Sequence, residues 1–145
     1  MKRLALSLQG ADAFGRLPAR STLRRWIVTA LERDARLTLR FVNVREGRRL
    51  NRDFRGSDCA TNVLTFDYAR RPAIEADIVI CVAVARREAR AQRKSLRAHL
   101  AHLVIHGTLH AQGFDHLRVA DARRMEKREI ELLARLRIPN PYAPS

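Results

Sequence analysis

Residues 96–116 read LRAHLAHLVIHGTLHAQGFDH, and the spacing within this run sets both the fold around it and its chemistry. Leu100, Leu103, Val104 and Leu109 recur at the three- and four-residue intervals of a helix that buries one face. Ser95 stands where an N-cap belongs, so a helix over Leu96 to Gln112 is expected. On that helix His106 and His110 are four apart. Their Cβ atoms then lie one above the other, about 5–6 Å apart, and both rings can reach one metal at roughly 2.0–2.1 Å. Gly113, just past the helix end, readily takes the left-handed conformation that turns the chain and swings His116 back toward the pair. Three imidazoles leave one vertex of a tetrahedral zinc open, as catalytic sites do.

The spacing H-x-x-x-H-x-x-G-x-x-H is that of the metzincin metalloproteases, in which the residue after the first histidine is a glutamate general base. Here that slot holds Gly107, which cannot take a proton, so a hydrolase of another kind is expected. A structural zinc would need a fourth protein ligand, and Asp115, Cys59, Cys81 and His102 are the candidates. Asp115, adjacent to a ligand, suits a partner that holds a ring N–H. His102 lies one turn before His106 and either lines the site or is a buried, hydrogen-bonded residue. His99 is off the stripe and gets no role.

A chain of 145 residues suits one domain. Cys59 and Cys81 form no C-x-x-C pair and read as reduced thiols, Cys81 in the core. The apolar stretch Leu4 to Leu8 is too short for a signal peptide. Ile78 to Ala85, the longest apolar run at eight residues, cannot cross a bilayer, so a cytoplasmic protein without a membrane partner is expected. Net charge is +14, from 29 basic and 15 acidic residues, a surplus that favours a polyanion, above all nucleic acid. Only Lys2, Lys94 and Lys127 are lysines. The surplus is therefore arginine, whose planar fork matches phosphate oxygens even where a GC-rich genome contributes to the bias.

Outward from the histidine helix, the pattern predicts a mixed α/β (α+β) single domain of about four strands and five helices, with the metal helix against the sheet. Arg3 to Ser7 alternates weakly as a first strand. Ser21 or Thr22 caps a helix to about Asp34 that buries Leu23, Trp26, Ile27, Ala30 and Leu31. Leu37 to Val44 alternates as a half-buried strand, a short helix spans about Gly47 to Phe54, and Asn62 to Asp67 is a further strand. Tyr68 to Ala76, broken by Pro72, reads as a loop. Asp77 to Val82 reads as an interior strand. Val84 to about Arg93 is a helix whose arginines form a solvated face. Asp121 opens the last helix, to about Leu136, and Pro139, Pro141 and Pro144 mark a flexible tail over residues 139–145.

The segments Asn51-Arg-Asp-Phe-Arg-Gly56, Thr61-Asn-Val-Leu-Thr-Phe66, Asp77-Ile-Val-Ile-Cys81, the histidine run His99 to His116, and Met125-Glu126 with Glu129 together resemble the YbeY-type endoribonucleases, rRNA maturation factors. The resemblance covers most of the chain. It implies that His106, His110 and His116 hold one zinc per chain and that Arg55 is the functional basic residue. It also implies an endonuclease specific for single-stranded RNA, acting in 16S (small-subunit) rRNA 3′-end maturation and ribosome quality control. The implied partners are the rRNA precursor and the ribosomal particle, with a small-subunit ribosomal protein or an assembly GTPase as possible recruiters. Two positions depart from the family pattern: Ser57 stands where many members carry Lys, and Ala76 replaces a frequent Gly. Neither touches the three histidines.

From the residues themselves, zinc on three neutral imidazoles lowers the pKa of water from 15.7 to about 7, which removes the need for a carboxylate base. Arg55 would bind the scissile phosphate, its competing role being a surface ion pair with Asp53 or Asp58. Water or the ribose 2′-OH could attack. Two other functions fit parts of the pattern: a non-catalytic, zinc-stabilised RNA-binding assembly factor, and a metzincin-like metallopeptidase, against which Gly107 counts.

Overall fold

β-Branched and leucine-rich runs pair into one mixed sheet. In the computed structural model, which describes residues 2–143, strands β1 (Leu4–Gln9), β2 (Ala35–Val42), β3 (Val63–Ala69) and β4 (Ile74–Cys81) lie in the order β1-β2-β4-β3. β1 is parallel to β2 and β2 to β4, whereas β3 is antiparallel to β4. Strand β4 is interior, and only Glu75 and Asp77 along it escape full burial. Its near-continuous apolar sequence follows from having both faces covered.

Among the described residues five helices complete the fold: α1 (Arg20–Ala30), α2 (Val44–Arg55), α3 (Val82–Ala91), α4 (Leu96–Ala111) and α5 (Val119–Arg135). A short 3-10 turn at Ala11–Phe14 buries none of its residues, so no apolar periodicity announces it. The main core fills one face of the sheet, where Leu37, Leu39, Ile78 and Ile80 join Leu23, Trp26 and Ile27 of α1 and Leu100, Val104 and Ile105 of α4. Each such side chain contributes about 1.5–3 kcal/mol on burial. A smaller cluster on the other face, Val42, Leu64, Val79, Cys81 and Val84, is covered by Leu50 and Phe66. Helix α4 is thus held between the sheet, α1 and α5, and its apolar spacing does what the sequence predicts.

Several boundaries shift for local reasons. Helix α1 starts at Arg20 behind Ala19, without a side-chain cap, and stops at Ala30. Neither Ser21 nor Thr22 caps it. Helix α2 begins earlier than expected because the Asn43 side chain accepts from the Glu46 N–H. The expected loop from Tyr68 to Ala76 shrinks to residues 70–73, since strands β3 and β4 extend into it and leave Pro72 in the hairpin turn. Within the expected flexible tail, residues 139–143 are instead tied down: Lys94 donates to the Pro141 carbonyl at 2.9 Å, and the Tyr142 hydroxyl reaches Glu129 on α5. Pro144 and Ser145, the rest of that tail, lie outside the described residues.

Candidate metal centre and cleft

Helix α4 delivers two histidines and its C-terminal cap delivers the third. The Ser95 hydroxyl accepts from the Ala98 N–H at 3.0 Å and starts the helix where the sequence places it. At the other end Gly113 adopts φ +105°, while its N–H bonds the His110 carbonyl and the Phe114 N–H bonds the Leu109 carbonyl. This paired closure is a Schellman cap, and glycine avoids the strain a side chain would suffer at that φ. The returning chain brings His116 to the helical pair. Ring centroids are 6.2 Å apart for His106 and His110, 5.5 Å for His106 and His116, and 5.7 Å for His110 and His116. One ion bound to a nitrogen of each ring would set such centroids roughly 5 Å apart.

Hydrogen bonds assign the ring protons. His110 Nδ1 lies 2.6 Å from the Phe114 carbonyl, which can only accept, so Nδ1 donates and Nε2 keeps its lone pair. His106 Nδ1 lies 2.8 Å from Glu129 Oε2. Glu129 is fully buried, yet its carboxyl is held down at about 2. Burial alone would raise it; hydrogen bonds from His102, His106 and Tyr142 outweigh that penalty. An ionised Glu129 accepts from His106 Nδ1, which again leaves Nε2 free to ligate. Burial together with the two neighbouring imidazoles lowers the pKa of His116, favouring its neutral, ligating form. The donor set therefore suits a metal that binds nitrogen.

His102, His106 and Glu129 also form a group whose ligand atoms lie within 4.8 Å of one another, close enough to hold a metal ion. His102 Nε2 bonds Glu129 Oε1 at 2.8 Å and lies 3.1 Å from the Tyr142 hydroxyl. Those contacts have hydrogen-bond length and direction, and full burial of Glu129 leaves no open vertex there. The tyrosine stays protonated, since burial and the adjacent carboxylate raise its pKa. His102, half-buried, thus takes the hydrogen-bonded role rather than lining the cleft. His99, buried and bonded to Glu88 at 2.9 Å, is remote from the trio and has its pKa lowered by burial.

Asp115 does not hold a ring. Its carboxylate accepts from the Leu117 N–H, and the part expected of it falls to Glu129. The signal for Glu129 was present in the sequence: it shares the apolar stripe of α5 with Met125, Leu132 and Leu133, and a carboxylate on such a stripe needs buried partners. Tyr142 had no comparable signal. Gly107 turns out to face away from the trio, toward the sheet. A Cβ there would stand 2.8 Å from Ile78 Cγ2 and 3.4 Å from Thr65 Oγ1. Its lack of a side chain is thus enforced by the close approach of α4 to β4.

Across the cleft stands Arg55, the last residue of α2, after which Gly56 at φ +75° ends the helix. One guanidinium nitrogen donates to the Thr65 carbonyl at 2.6 Å, and the group lies 5.8 Å from the Phe66 ring centroid. Neither Asp53 nor Asp58 pairs with it; Asp53 goes to Arg52, and Asp58 to Arg48 in a two-point contact at 2.8 and 2.9 Å. The buried Asn51 amide donates to the Cys59 carbonyl at 2.8 Å, fixing the loop between α2 and β3 that forms the cleft wall. The cleft has a volume of about 410 Å³ and contains Arg55, the three histidines, Ser57 and Cys59. No carboxylate lines it among the described residues. Cys59 is an exposed free thiol, whereas Cys81 is buried in the core. No helix among the described residues is long and apolar enough to cross a membrane.

Known proteins similar to this chain cover nearly all of its length. The family profile described as "Endoribonuclease YbeY" matches residues 18–137. Among curated relatives, "Endoribonuclease YbeY" of Methylibium petroleiphilum is 54% identical over 142 residues, covering 97% of this chain and 95% of its own. The proteins of the same name from Aromatoleum aromaticum and Bordetella pertussis are each 52% identical, covering 97% and 96% of this chain and 94% and 96% of their own. In fold, the chain is similar to the solution structure of TM1509 from Thermotoga maritima, with a TM-score of 0.57, 23% identity and 91% coverage of both chains.

Proposed function

The chain belongs to the endoribonuclease YbeY family, and from that premise we propose that it cleaves single-stranded RNA, with His106, His110 and His116 holding one zinc ion and Arg55 binding the scissile phosphate. One observation carries this reading: a cationic fork faces three convergent imidazoles across a cleft that no carboxylate lines among the described residues. A phosphodiester meets no like charge there. A metzincin-type peptidase requires its glutamate in the cleft, and position 107 points into β4 instead.

The chemistry such an ion supplies is Lewis acidity, which lowers the pKa of water from 15.7 to about 7. The residues of the chain supply the rest. Glu129 and the Phe114 carbonyl hold His106 and His110 in one tautomer and one orientation. Arg55 has one N–H spent on Thr65, which anchors the fork. Its other donors remain available for the non-bridging oxygens of the phosphate, where charge grows in the transition state. A donor of this kind contributes about 2.7–4 kcal/mol. The substrate is the small-subunit rRNA precursor near its 3′ end, met in the cytoplasm on the ribosomal particle. A small-subunit ribosomal protein or an assembly GTPase is the recruiting partner.

The deciding experiment pairs metal content per chain with cleavage of a single-stranded small-subunit rRNA precursor. About one zinc per chain and cutting that His110→Ala abolishes are expected. A protein that carries zinc, binds the RNA and leaves it intact, with His110→Ala behaving alike, would instead be an assembly factor.

A further inference from the structure

On the far side of β3 from the histidines, a hollow of about 370 Å³ lies between α2 and the open face of the sheet. Its walls are aromatic. Phe54 on α2 is 65% exposed and Tyr68 on β3 is 66% exposed. Phe54 meets Phe66 edge to face at 5.4 Å between centroids. The floor is polar, formed by Gln9, Thr38 and Asp77 from β1, β2 and β4. Strand alternation places all three on the face that α1 and α4 leave free. Phe66 is shared, since its ring also lies beneath the Arg55 guanidinium. The hollow and the cleft therefore adjoin across the contact of Arg55 with Phe66 on the edge strand.

We propose that this hollow is a nucleobase subsite, in which a base of the RNA strand whose phosphate lies on Arg55 stacks between Phe54 and Tyr68 and is read by Asp77, with guanine preferred. The inference rests on the RNA-cleaving reading of the cleft and names a feature of its substrate. Exposed aromatic rings beside a cationic phosphate contact are the recurrent means of holding single strands, because every base has a π-face. The volume sits near the lower end of ligand pockets, about 300–1,000 Å³, which suits one nucleoside and excludes a duplex.

The charge pattern selects a base rather than a phosphate. Arg40, also lining the hollow, is engaged by Glu46, and Asp77 has no cationic partner among the described residues. The Tyr68 hydroxyl donates to Asp77 Oδ2 at 2.8 Å, and that bond raises the tyrosine's pKa, so the proton stays on it. Asp77 keeps Oδ1 and the remaining lone pair of Oδ2 as acceptors. An acceptor pair repels phosphate. It matches the adjacent N1–H and N2–H donors of guanine, whereas uracil offers a single ring N–H between two carbonyls.

The test is fluorescence anisotropy on the zinc-loaded protein with 5′-labelled oligouridine and the same strand carrying one central guanosine, both made with 2′-O-methyl ribose so that they resist cleavage. Wild type is expected to bind the guanosine strand roughly 5- to 150-fold more tightly, the range of a two-point base contact. Asp77→Asn should abolish the preference, and Phe54→Ala should weaken both strands by roughly 5- to 150-fold. Phe54 is largely exposed and Asp77→Asn conserves shape; Tyr68→Ala, at an exposed position, should likewise weaken binding of both strands and serves if either variant loses its thermal transition. Equal binding of the two strands by wild type overturns the subsite and leaves the nuclease reading standing. Variants indistinguishable from wild type overturn it too. Binding of neither strand overturns both.

Discussion

Replacing Glu129 by glutamine tests the arrangement behind the candidate metal centre at its most buried point. The carboxylate is wholly shielded from solvent and accepts from His102, His106 and Tyr142. Its pKa falls from an ordinary 4.5 to about 2 in the folded chain. At about 1.4 kcal/mol per pH unit, that difference stabilises the fold by on the order of 3 kcal/mol. Because the folded value is the lower one, the contribution is complete above pH 4.5 and disappears as pH falls through about 2. The substituted amide would keep one acceptor and turn an N–H toward a ring N–H, so at pH 7 Glu129→Gln should cost about the same 3 kcal/mol. Urea unfolding of both metal-free proteins at several pH values gives the gap between them. It should be widest above pH 4.5 and close toward pH 2, with the shared titrations largely cancelling. Zinc affinity, measured by competition with a chromogenic chelator, should drop roughly 10- to 100-fold, the usual cost of losing the carboxylate behind a ligating histidine. A gap that stays constant with pH, or unchanged zinc affinity, would refute the buried ionised carboxylate and its hold on His106.

Arg55→Ala should slow RNA cleavage about 10²–10³-fold in single-turnover assays while leaving the thermal transition in place, and Arg55→Lys should recover little because lysine lacks the planar fork. Gly107→Ala should lower stability by about 1–3 kcal/mol in denaturant melts, since the new Cβ would press on Ile78 at 2.8 Å. Ile78→Ala in the same chain should relieve that clash, so the two substitutions combined should cost less than their sum. Arg137, at φ +61° after α5, occupies a conformation that disfavours side chains, and Arg137→Gly should stabilise by up to about 1 kcal/mol in the same melts. RNA binding should weaken with salt at a log–log slope of about −0.7 for each phosphate contacted; a flat response would show that the arginine surplus is not engaged.

Particular residues show where local pattern sufficed and where it did not. Ser95, the apolar spacing of α4 and Gly113 each act within one or two turns of chain, so the helix that carries His106 and His110 was legible from residues 96–116. The return of His116 was legible too, because a glycine cap directs the next few residues. The limits of α1 and the length of the β3–β4 hairpin were not. Strand pairing, which joins distant residues, decided the hairpin, as Ala35 pairing with Ile74 extends β4 through the expected loop.

By itself, then, the sequence determined which residues share a helix face, which run lies inside the sheet, and that three imidazoles with a nearby arginine form a family pattern. Only the tertiary structure decided that Gly107 is the contact point of α4 with β4, that Glu129 and Tyr142 stand behind His106, and that Arg55 is anchored on Thr65 and free of its acidic neighbours. The physical reason is range. Periodicity and capping are fixed by bonds between residues three to five apart, whereas burial of a charge and the partners that satisfy it depend on segments brought together by the packed core.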